Sequence, residues 1–156
     1  MKNKIYFLTF IFFFGVIFIS CKNDFDTLYQ QMINEKETVF LEHHDYSSSV
    51  NDRYMKICKM GKENNEALLK LAINENPTNW ITCLSYWSLT DGDLAISLII
   101  DINEINDEDF CLLMPLEIRK EYEKIGVVVF WDWIHESVSN REYVINQLEN
   151  LINWRI

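Results

Sequence analysis

The acid-rich stretch from Asp101 to Asp109 holds residue types that bind calcium in an EF-hand loop. Such a loop needs oxygen ligands at alternate positions, a glycine at the sixth position and a bidentate glutamate at the twelfth. With Asp101 as the first ligand, the fifth position is Ile105, the sixth is Asn106 and the twelfth is Leu112. The spacing therefore predicts a solvated acidic loop that starts the next helix, and no calcium site.

Histidines stand at two places where they could bind a metal or accept a proton. His135-Glu136 begins like the helical zinc-protease motif, but Ser139 stands where the second imidazole would be needed. His43 and His44 are adjacent, and neighbours on a helix point about 100° apart. The chain also lacks a nucleophile elbow and a glycine-rich phosphate loop. The sequence predicts no catalytic residue, no metal ligand and no cofactor.

An export signal occupies the start of the chain. Lys2 and Lys4 precede an apolar run from Ile5 to Ile19, and the first acidic residue is Asp24. A basic start followed by such a run is typical of a secretory signal peptide. The run is short for a membrane-spanning helix, which needs about 20 apolar residues. We therefore expect residues 1–20 to be cleaved.

The end of this segment, Phe18-Ile19-Ser20-Cys21, resembles the lipobox of bacterial lipoproteins. Phe18 stands where that family usually has leucine, while Ser20 supplies the small residue before the cysteine. The resemblance implies that Cys21 is acylated on its sulfur, that the signal peptidase cuts between Ser20 and Cys21, and that the new amino group is then acylated. It predicts a lipid-anchored domain over residues 21–156, with residues 21–24 as a short tether.

The residues after Cys21 concern the destination of the protein. Position +2 is Lys22, where many inner-membrane lipoproteins of Gram-negative bacteria have aspartate. Lys22 and Asp24, within Lys22-Asn23-Asp24-Phe25-Asp26, are similar to the signal that sends some lipoproteins to the cell surface. The resemblance implies the cell envelope, with the outer membrane as the expected site. Both the periplasmic and the surface face stay open.

Three further cysteines, Cys58, Cys83 and Cys111, lie in the predicted mature domain. An odd number in an oxidising compartment leaves at least one free thiol. The spacings contain no C-x-x-C pair, which argues against a zinc site. We expect Cys83 and Cys111 to be buried free cysteines. The alternative is a disulfide between two of the three cysteines.

Apolar residues recur with helical spacing along the mature chain, which has few breakers. The pattern i, i+3, i+4, i+7 fits the segment starting at Trp80 and the one starting at Val127, and a longer stripe runs from Val144 to Ile152. We predict an all-α, compact single-domain bundle of roughly seven to eight short helices. The predicted helices cover residues 24–42, 50–60, 63–75, 78–89, 92–103, 116–125, 127–138 and 140–154.

Start and stop signals support these boundaries. Ser139 to Glu142 is typical of a capping box, in which serine and glutamate side chains bond the amides of the first turn. Thr90 to Asp93 is a weaker version with aspartate in place of glutamate. Gly61 and Gly126 are placed to end helices in a left-handed conformation. The segment 94–100 is apolar nearly all round, which predicts the buried central helix. Strands at Ile99-Ile100 or Val127–Val129 are the alternative.

The tryptophans are the candidates for a partner surface. Trp80 and Trp87 share a face of a predicted helix, which favours the core. Trp131 and Trp133 lie two residues apart on another, so one of them is expected to be partly exposed or sandwiched between layers. Trp133 and Trp154, with Asp132 and Glu136 beside them, would suit a contact surface, because tryptophan is enriched at interface hot spots. A helix buried on two sides is the favoured alternative.

Charge limits the class of partner. The full chain has 14 basic and 24 acidic side chains, a net charge of −10. The segment 1–20 carries two lysines and no acid, so the mature chain has 12 basic and 24 acidic side chains, a net charge of −12. This argues against a nucleic-acid partner, which requires a basic face.

The segments Thr90–Ala95, Asp101-Ile102, Ile125–Val127 and Asn140-Arg141 are also similar to those of uncharacterised bacterial helical proteins. The resemblance covers about half of the chain and implies a helical fold without implying an activity.

Three classes of function follow. The favoured one is a lipid-anchored binding or interaction module, with an immunity-type inhibitor of a basic toxin or effector as its sharper form, since opposite charge speeds association. The first alternative is an envelope enzyme acting on a cell-wall or glycan substrate through paired carboxylates, which predicts a concave pocket with two acids about 5 to 10 Å apart. The second is a purely structural envelope lipoprotein.

Overall fold

The computed structural model describes residues 24–39, 51–82 and 88–154. In these residues eight α-helices, one turn of 3-10 helix and three short strands form one compact body. The elements are α1 (24–33), β1 (Glu37–Val39), α2 (Asp52–Met60), the 3-10 turn (Lys62–Asn64), α3 (Asn65–Leu71), β2 (Pro77–Thr82), β3 (Ser88–Thr90), α4 (Asp91–Ile102), α5 (Asp107–Cys111), α6 (Leu116–Ile125), α7 (Val128–Glu136) and α8 (Val138–Trp154). The predicted all-α bundle is confirmed, with a small sheet added to it.

The central helix is α4, as its apolar sequence predicts. Eleven of its twelve residues are buried, and Asp101 is the half-buried exception. Each fully buried leucine or isoleucine contributes roughly 1.5 to 3 kcal/mol of hydrophobic stabilisation, so α4 dominates the core. The pairs Ile99-Ile100 and Val128-Val129 lie in α4 and α7, so the strand alternative for them is wrong.

The three strands form one small sheet with β2 in the middle. β1 runs parallel to β2, with Glu37 opposite Trp80, and β3 runs antiparallel to it, with Ser88 opposite Ile81. The predicted helix 78–89 is therefore wrong where the structure describes it. The predicted helix 24–42 also ends early, because α1 stops at residue 33 and β1 follows.

Long-range contacts explain why 77–82 is a strand. The side chain of Trp80 is buried, and its indole Nε1 donates to the carbonyl oxygen of Met32 at 2.8 Å. The hydroxyl of Thr78 donates to the carbonyl oxygen of Leu89 at 2.7 Å, which joins β2 to β3. Pro77 takes the first position of the strand, where a missing amide hydrogen is tolerated. Short apolar segments fit both helical and strand spacing, and for residues 77–82 the tertiary contacts favour the strand.

Helix ends follow the predicted chemistry with one shift of position. Thr90 and Asp93 form the predicted capping box at the start of α4. Gly61 and Gly126 have positive φ angles of 81° and 99° and follow α2 and α6. The cap of α8, however, is Ser137, whose hydroxyl accepts from the amide of Asn140 at 3.2 Å, so the predicted capping box at Ser139 is wrong. The start of α2 is capped by Asn51, whose side chain accepts from the amides of Arg53 and Tyr54.

The acid-rich stretch that starts at Asp101 contains the short helix α5, which the predicted helices omit. Asn106 caps it by accepting from the amide of Asp109 at 2.9 Å.

In the described part of the chain no group of three or more histidine, cysteine or acidic side chains could hold a metal ion. None of the described helices is long and apolar enough to cross a membrane.

Candidate functional site

A buried ionic cluster joins three helices at the start of α4. Its centre is Asp93, whose side chain has no exposed surface. Carboxylate oxygen Oδ1 accepts from Nη2 of Arg141 on α8 at 2.8 Å. Oxygen Oδ2 accepts from the amide of Thr90 at 2.8 Å and lies 2.9 Å from Nε2 of His135 on α7. We call Asp93, His135 and Arg141 the Asp93 cluster.

The electrostatics of this cluster keep Asp93 charged. Burial alone would raise the pKa of the carboxyl group, because the charged form loses its hydration. The hydrogen bond to His135 and the positive charge of Arg141 outweigh that effect, so the pKa of Asp93 lies below its usual value. Asp93 is therefore a carboxylate held by fixed donors and not a group prepared to take up a proton.

The guanidinium of Arg141 also ties α8 to the end of α3. Its Nη1 donates to the carbonyl oxygen of Ala72 at 3.2 Å, and the whole side chain is buried. Gly92 makes this arrangement possible. A Cβ atom at Gly92 would lie 2.3 Å from the carbonyl oxygen of Asn74 and 2.6 Å from that of Ala72. Only glycine at position 92 leaves room for the backbone of Ala72 and Asn74 to pass so close to α4.

Asp91 organises the other side of the same helix end. Its carbonyl oxygen accepts from the hydroxyl of Tyr29, which joins α1 to α4. Its carboxylate accepts from the side-chain amide of Asn76 at 3.0 Å. Burial, followed by the charges of Asp91 and Asp93, raises the pKa of Tyr29, so the phenol stays protonated and donates. The sequence Thr90-Asp91-Gly92-Asp93 thus gathers α1, α7, α8 and the end of α3 around one helix terminus.

The chemistry available to the Asp93 cluster is limited, because the hydrogen-bond acceptors of its carboxylate are already occupied. The carboxylate of Asp93 makes three hydrogen bonds and is closed to a substrate, while the side chain of His135 is 28% exposed. Asp93 can hold and orient the imidazole of His135. In the described structure the cluster acts as a structural centre of the fold.

A hollow of about 520 Å³ lies between the start of α3 and the second half of α8. We call it the α3–α8 hollow. Its lining is mixed: three carboxylates, three amides, one lysine and two aliphatic side chains, contributed by Glu63, Glu66, Glu149, Asn65, Asn103, Asn153, Lys62, Leu69 and Ile152. The volume falls in the range of small-ligand sites, roughly 300 to 1,000 Å³. The described structure brings acidic side chains together in a concave surface here.

The floor of the α3–α8 hollow is built from two buried asparagines. Nδ2 of Asn65 donates to Oδ1 of Asn103 at 3.0 Å, and Nδ2 of Asn103 donates back to Oδ1 of Asn65 at the same distance. Asn103 also donates to the carbonyl oxygen of Ile99 at 2.8 Å. This double amide pair fixes the end of α4 against the start of α3.

A second depression, of about 670 Å³ and wide open, runs along the polar side of α1 and includes the Glu35–Arg53 ion pair.

The predicted partner surface is spread over two helices. Asp132 and Glu136 are exposed one turn apart on α7. Trp133 is only 8% exposed and packs edge-on against Tyr143 of α8, with ring centroids 5.9 Å apart. Trp154 is 93% exposed near the other end of α8. Tyr143 and Trp154 are eleven residues apart, about 16 Å along a helix, so the two tryptophans do not meet.

The remaining tryptophans are core residues where the structure describes them. Trp80 and Trp131 are both buried, whereas Trp87 lies outside the described residues. Trp131 and Trp133 are thus buried together, which agrees with a helix covered on two sides. Two tryptophans on nearly opposite sides of α7 are both enclosed because α7 packs between α6 and α8.

The residues that carry the lipoprotein prediction lie mostly outside the described part of the chain. Phe18, Ile19, Ser20, Cys21 and Lys22 are all in the segment 1–23, and Asp24 is an exposed residue of α1.

Cys58 and Cys111 are half-buried free thiols, and Cys83 is not among the described residues. Burial and the charge of Asp101 raise the pKa of Cys58 to about 12, so its thiol is unreactive at neutral pH.

Arg141 is a site residue that the sequence pattern marks only indirectly. It stands three residues before Val144 and seven before Leu148, so it extends the apolar stripe of α8 that also holds Ile152. A charged residue on a core stripe is the signal of a buried ion pair. No comparable signal identifies Asp93 as its partner, 48 residues earlier.

The chain matches no protein-family model, no curated protein and no solved structure.

Proposed function

We propose that this protein is a lipid-anchored interaction module of the bacterial cell envelope, attached through Cys21 to the outer membrane. The observation that carries the proposal is the continuity between the lipobox-like segment and the folded body. Helix α1 is already helical at residue 24, three residues after Cys21. Phe25, Tyr29 and Met32 of α1 are buried, so this helix is part of the core.

The short connection bears on how the domain would sit at a membrane. Residues 22 and 23 are the chain between the acylated cysteine and α1, and an extended chain advances at most about 3.6 Å per residue. A domain anchored in this way stays against the headgroups, within roughly 10 Å of the lipid attachment. Several acyl chains on one cysteine would make the attachment durable, since each buried CH₂ contributes about 0.8 kcal/mol.

The charge distribution supports a basic protein as the partner, as expected for an immunity-type inhibitor. In the described residues of α7 and α8, every exposed Asp, Glu, Lys or Arg side chain is an acid, namely Asp132, Glu136, Glu142 and Glu149. These helices contain no lysine, and Arg141 is buried against Asp93. This side of the domain therefore presents negative charge that would speed association with a cationic protein.

Metabolic labelling tests the anchor. Radiolabelled palmitate should enter the wild-type chain and should not enter Cys21→Ala, because the thiol of Cys21 is the proposed lipid acceptor. Cys58→Ala is the matched control, since this thiol lies in the folded domain, and it should keep full labelling. Equal labelling of the wild type and Cys21→Ala would overturn the proposed anchor.

Affinity capture from the host envelope tests the interaction. A basic protein should be recovered with the chain, and its association rate should fall steeply as ionic strength rises, since screening removes long-range attraction. Recovery of no protein, or of a partner whose binding is insensitive to salt, would contradict the proposal.

A further inference from the structure

We propose that the α3–α8 hollow receives an arginine side chain from the basic protein partner. This inference rests on the proposed function and deepens it, because it names the part of the surface and the side chain that the surface recognises. The lining of the hollow, its rigidity and the charge of its surroundings support it.

The lining of the hollow is rich in hydrogen-bond acceptors. Glu63 and Glu149 stand on different elements that line the hollow, the 3-10 turn and α8, and neither makes an ion pair in the described part of the chain. Glu66 adds a third carboxylate, although it already contacts Lys70 at 2.6 Å. A guanidinium group has five donors in a planar fork and no acceptor, so it matches an acceptor-rich concave site better than an ammonium group does.

The hollow has a fixed floor and a partly apolar lining. Its floor, Asn65 and Asn103, is more than nine-tenths buried and is fixed by the reciprocal amide pair at 3.0 Å. Leu69 and Ile152 give the lining an apolar component that can cover the methylene stem of a long basic side chain. A fixed floor lowers the ordering cost of binding, which is the usual property of an interface hot spot.

The charged residues around the hollow are mostly acidic. The α8 wall has Glu149 and Asn153, and the exposed charged residues of α8 in the described structure are acids. Lys62 is the one basic lining residue, against three carboxylates, of which Glu66 is paired with Lys70 outside the lining. A neutral glycan would gain hydrogen bonds here but nothing from the surplus negative charge. A cationic side chain gains both, and this favours arginine as the occupant.

The probe for this proposal is argininamide. It is titrated into the ¹⁵N-labelled full chain in non-ionic polyoxyethylene detergent micelles and followed by NMR. The side-chain amide signals of Asn65 and Asn103 should shift and saturate together. Lysinamide should bind more weakly, because it offers fewer donors.

Isosteric variants locate the binding. Glu149→Gln and Glu63→Gln should each weaken argininamide binding about fivefold, as expected for the loss of a charge-assisted hydrogen bond. Glu123→Gln changes the net charge equally at an exposed site on α6 and should leave the affinity unchanged. The amide spectrum of each variant reports whether it has folded.

Three results would overturn the proposal. The first is a set of amide shifts that do not saturate with argininamide. The second is a loss of affinity in Glu123→Gln equal to that in Glu149→Gln and Glu63→Gln. The third is saturation of the same amide signals by the neutral sugar chitotriose, with no response to argininamide. The last result would assign the hollow to a glycan. If the chain is not acylated but binds argininamide, the proposed anchor is wrong and the proposed role of the hollow stands. If the chain is acylated but does not bind argininamide, the anchor stands and the role of the hollow is wrong.

Discussion

At the scale of single residues, Asp93 has the most consequential position in the described structure. It is a fully buried carboxylate that bonds α7, α8 and the backbone of its own helix cap. Taking such a charge out of water costs several kcal/mol, and that cost is offset only while every partner is in place. The cluster therefore favours one arrangement of the three helices, because a misplaced α8 would leave Asp93 and Arg141 buried and unpaired.

Replacing Asp93 by asparagine should destabilise the fold strongly. Asp93→Asn removes the charge and leaves Arg141 buried without a counter-ion, so the free energy of unfolding should fall by about 3 to 5 kcal/mol. Urea unfolding followed by tryptophan fluorescence measures the loss. Asp132→Asn is the matched control at an exposed position and should change stability by less than about 0.5 kcal/mol. A loss below about 1 kcal/mol in Asp93→Asn would show that the pair contributes no more than a surface ion pair.

Gly92 is the second residue at which a small change should have a large effect. Alanine normally stabilises a helix interior relative to glycine by roughly 0.5 to 1 kcal/mol. At Gly92 the added Cβ would strike two carbonyl oxygens of the backbone, at 2.3 and 2.6 Å, so Gly92→Ala should instead destabilise by about 1 to 3 kcal/mol or more.

The comparison variant for this prediction is Gly126→Ala. Apart from its neighbours in the chain, no residue lies within 4 Å of its added Cβ, but the φ of 99° is unfavourable, with an expected cost of about 1 to 2 kcal/mol. Thermal unfolding followed by circular dichroism ranks the two variants. A stabilising Gly92→Ala would refute the close packing at the start of α4.

At the scale of elements, helices that carry a continuous apolar stripe were predictable and the sheet was not. The predicted helix 116–125 coincides with α6, and the predicted helix 92–103 is shifted by one residue from α4. The segment 78–89 has helical spacing of Trp80 and its neighbours, yet residues 77–82 pair with β1 and β3. Pairing of β1 with β2 joins residues more than 40 positions apart, which local periodicity does not report.

The cap of α8 offers a prediction at this scale. Ser137 accepts a hydrogen bond from the amide of Asn140, whereas Ser139 lies inside the first turn of α8. Ser137→Ala should therefore cost about 1 kcal/mol of stability. Ser139→Ala is the matched control and should cost less than about 0.5 kcal/mol. Chemical unfolding of both variants measures the difference, and a larger loss in Ser139→Ala would restore the capping box that the sequence predicts.

At the scale of the whole molecule, charge is distributed unevenly. The full chain is acidic, with a net charge of −10, but the side formed by α7 and α8 lacks an accessible lysine or arginine among the described residues. In contrast, α6 carries Arg119, Lys120 and Lys124 among its acids. Composition reports the total charge, and only the fold reveals that Arg141 is removed from the surface by its pairing with Asp93.

The pH dependence of global stability follows from the lowered pKa of Asp93. In the unfolded chain an aspartate takes up a proton near pH 4, whereas folded Asp93 stays ionised to lower pH. Unfolding therefore binds a proton below about pH 5, and the stabilisation by Asp93 is fully present above the unfolded pKa. It is lost as the pH falls through the folded pKa.

The free energy of unfolding, measured by urea titration between pH 7 and pH 3, tests this dependence. The gap between the wild type and Asp93→Asn should be constant down to about pH 5 and then shrink. A gap that widens on acidification would reverse the assigned sign.

The α3–α8 hollow shows why a candidate site is harder to predict than a helix. Its carboxylates Glu63 and Glu149 are separated by 86 positions, and each is an ordinary exposed residue in its own segment. The paired-asparagine floor joins residues 38 positions apart. Nothing in the local pattern of the 3-10 turn, α3, α4 or α8 marks these residues, since their meeting depends on how these distant elements pack.

The amino-acid sequence is enough to predict the helical class, the buried centre at α4, the acidity and the lipobox-like segment ending at Cys21. These properties depend on composition, short motifs and spacing within one element, which are local along the chain. Long-range packing makes 77–82 a strand, places Ser137 as the cap of α8 and pairs Asp93 with Arg141. These outcomes depend on which distant groups can satisfy a buried charge or hydrogen bond, and that is settled only when the whole core packs.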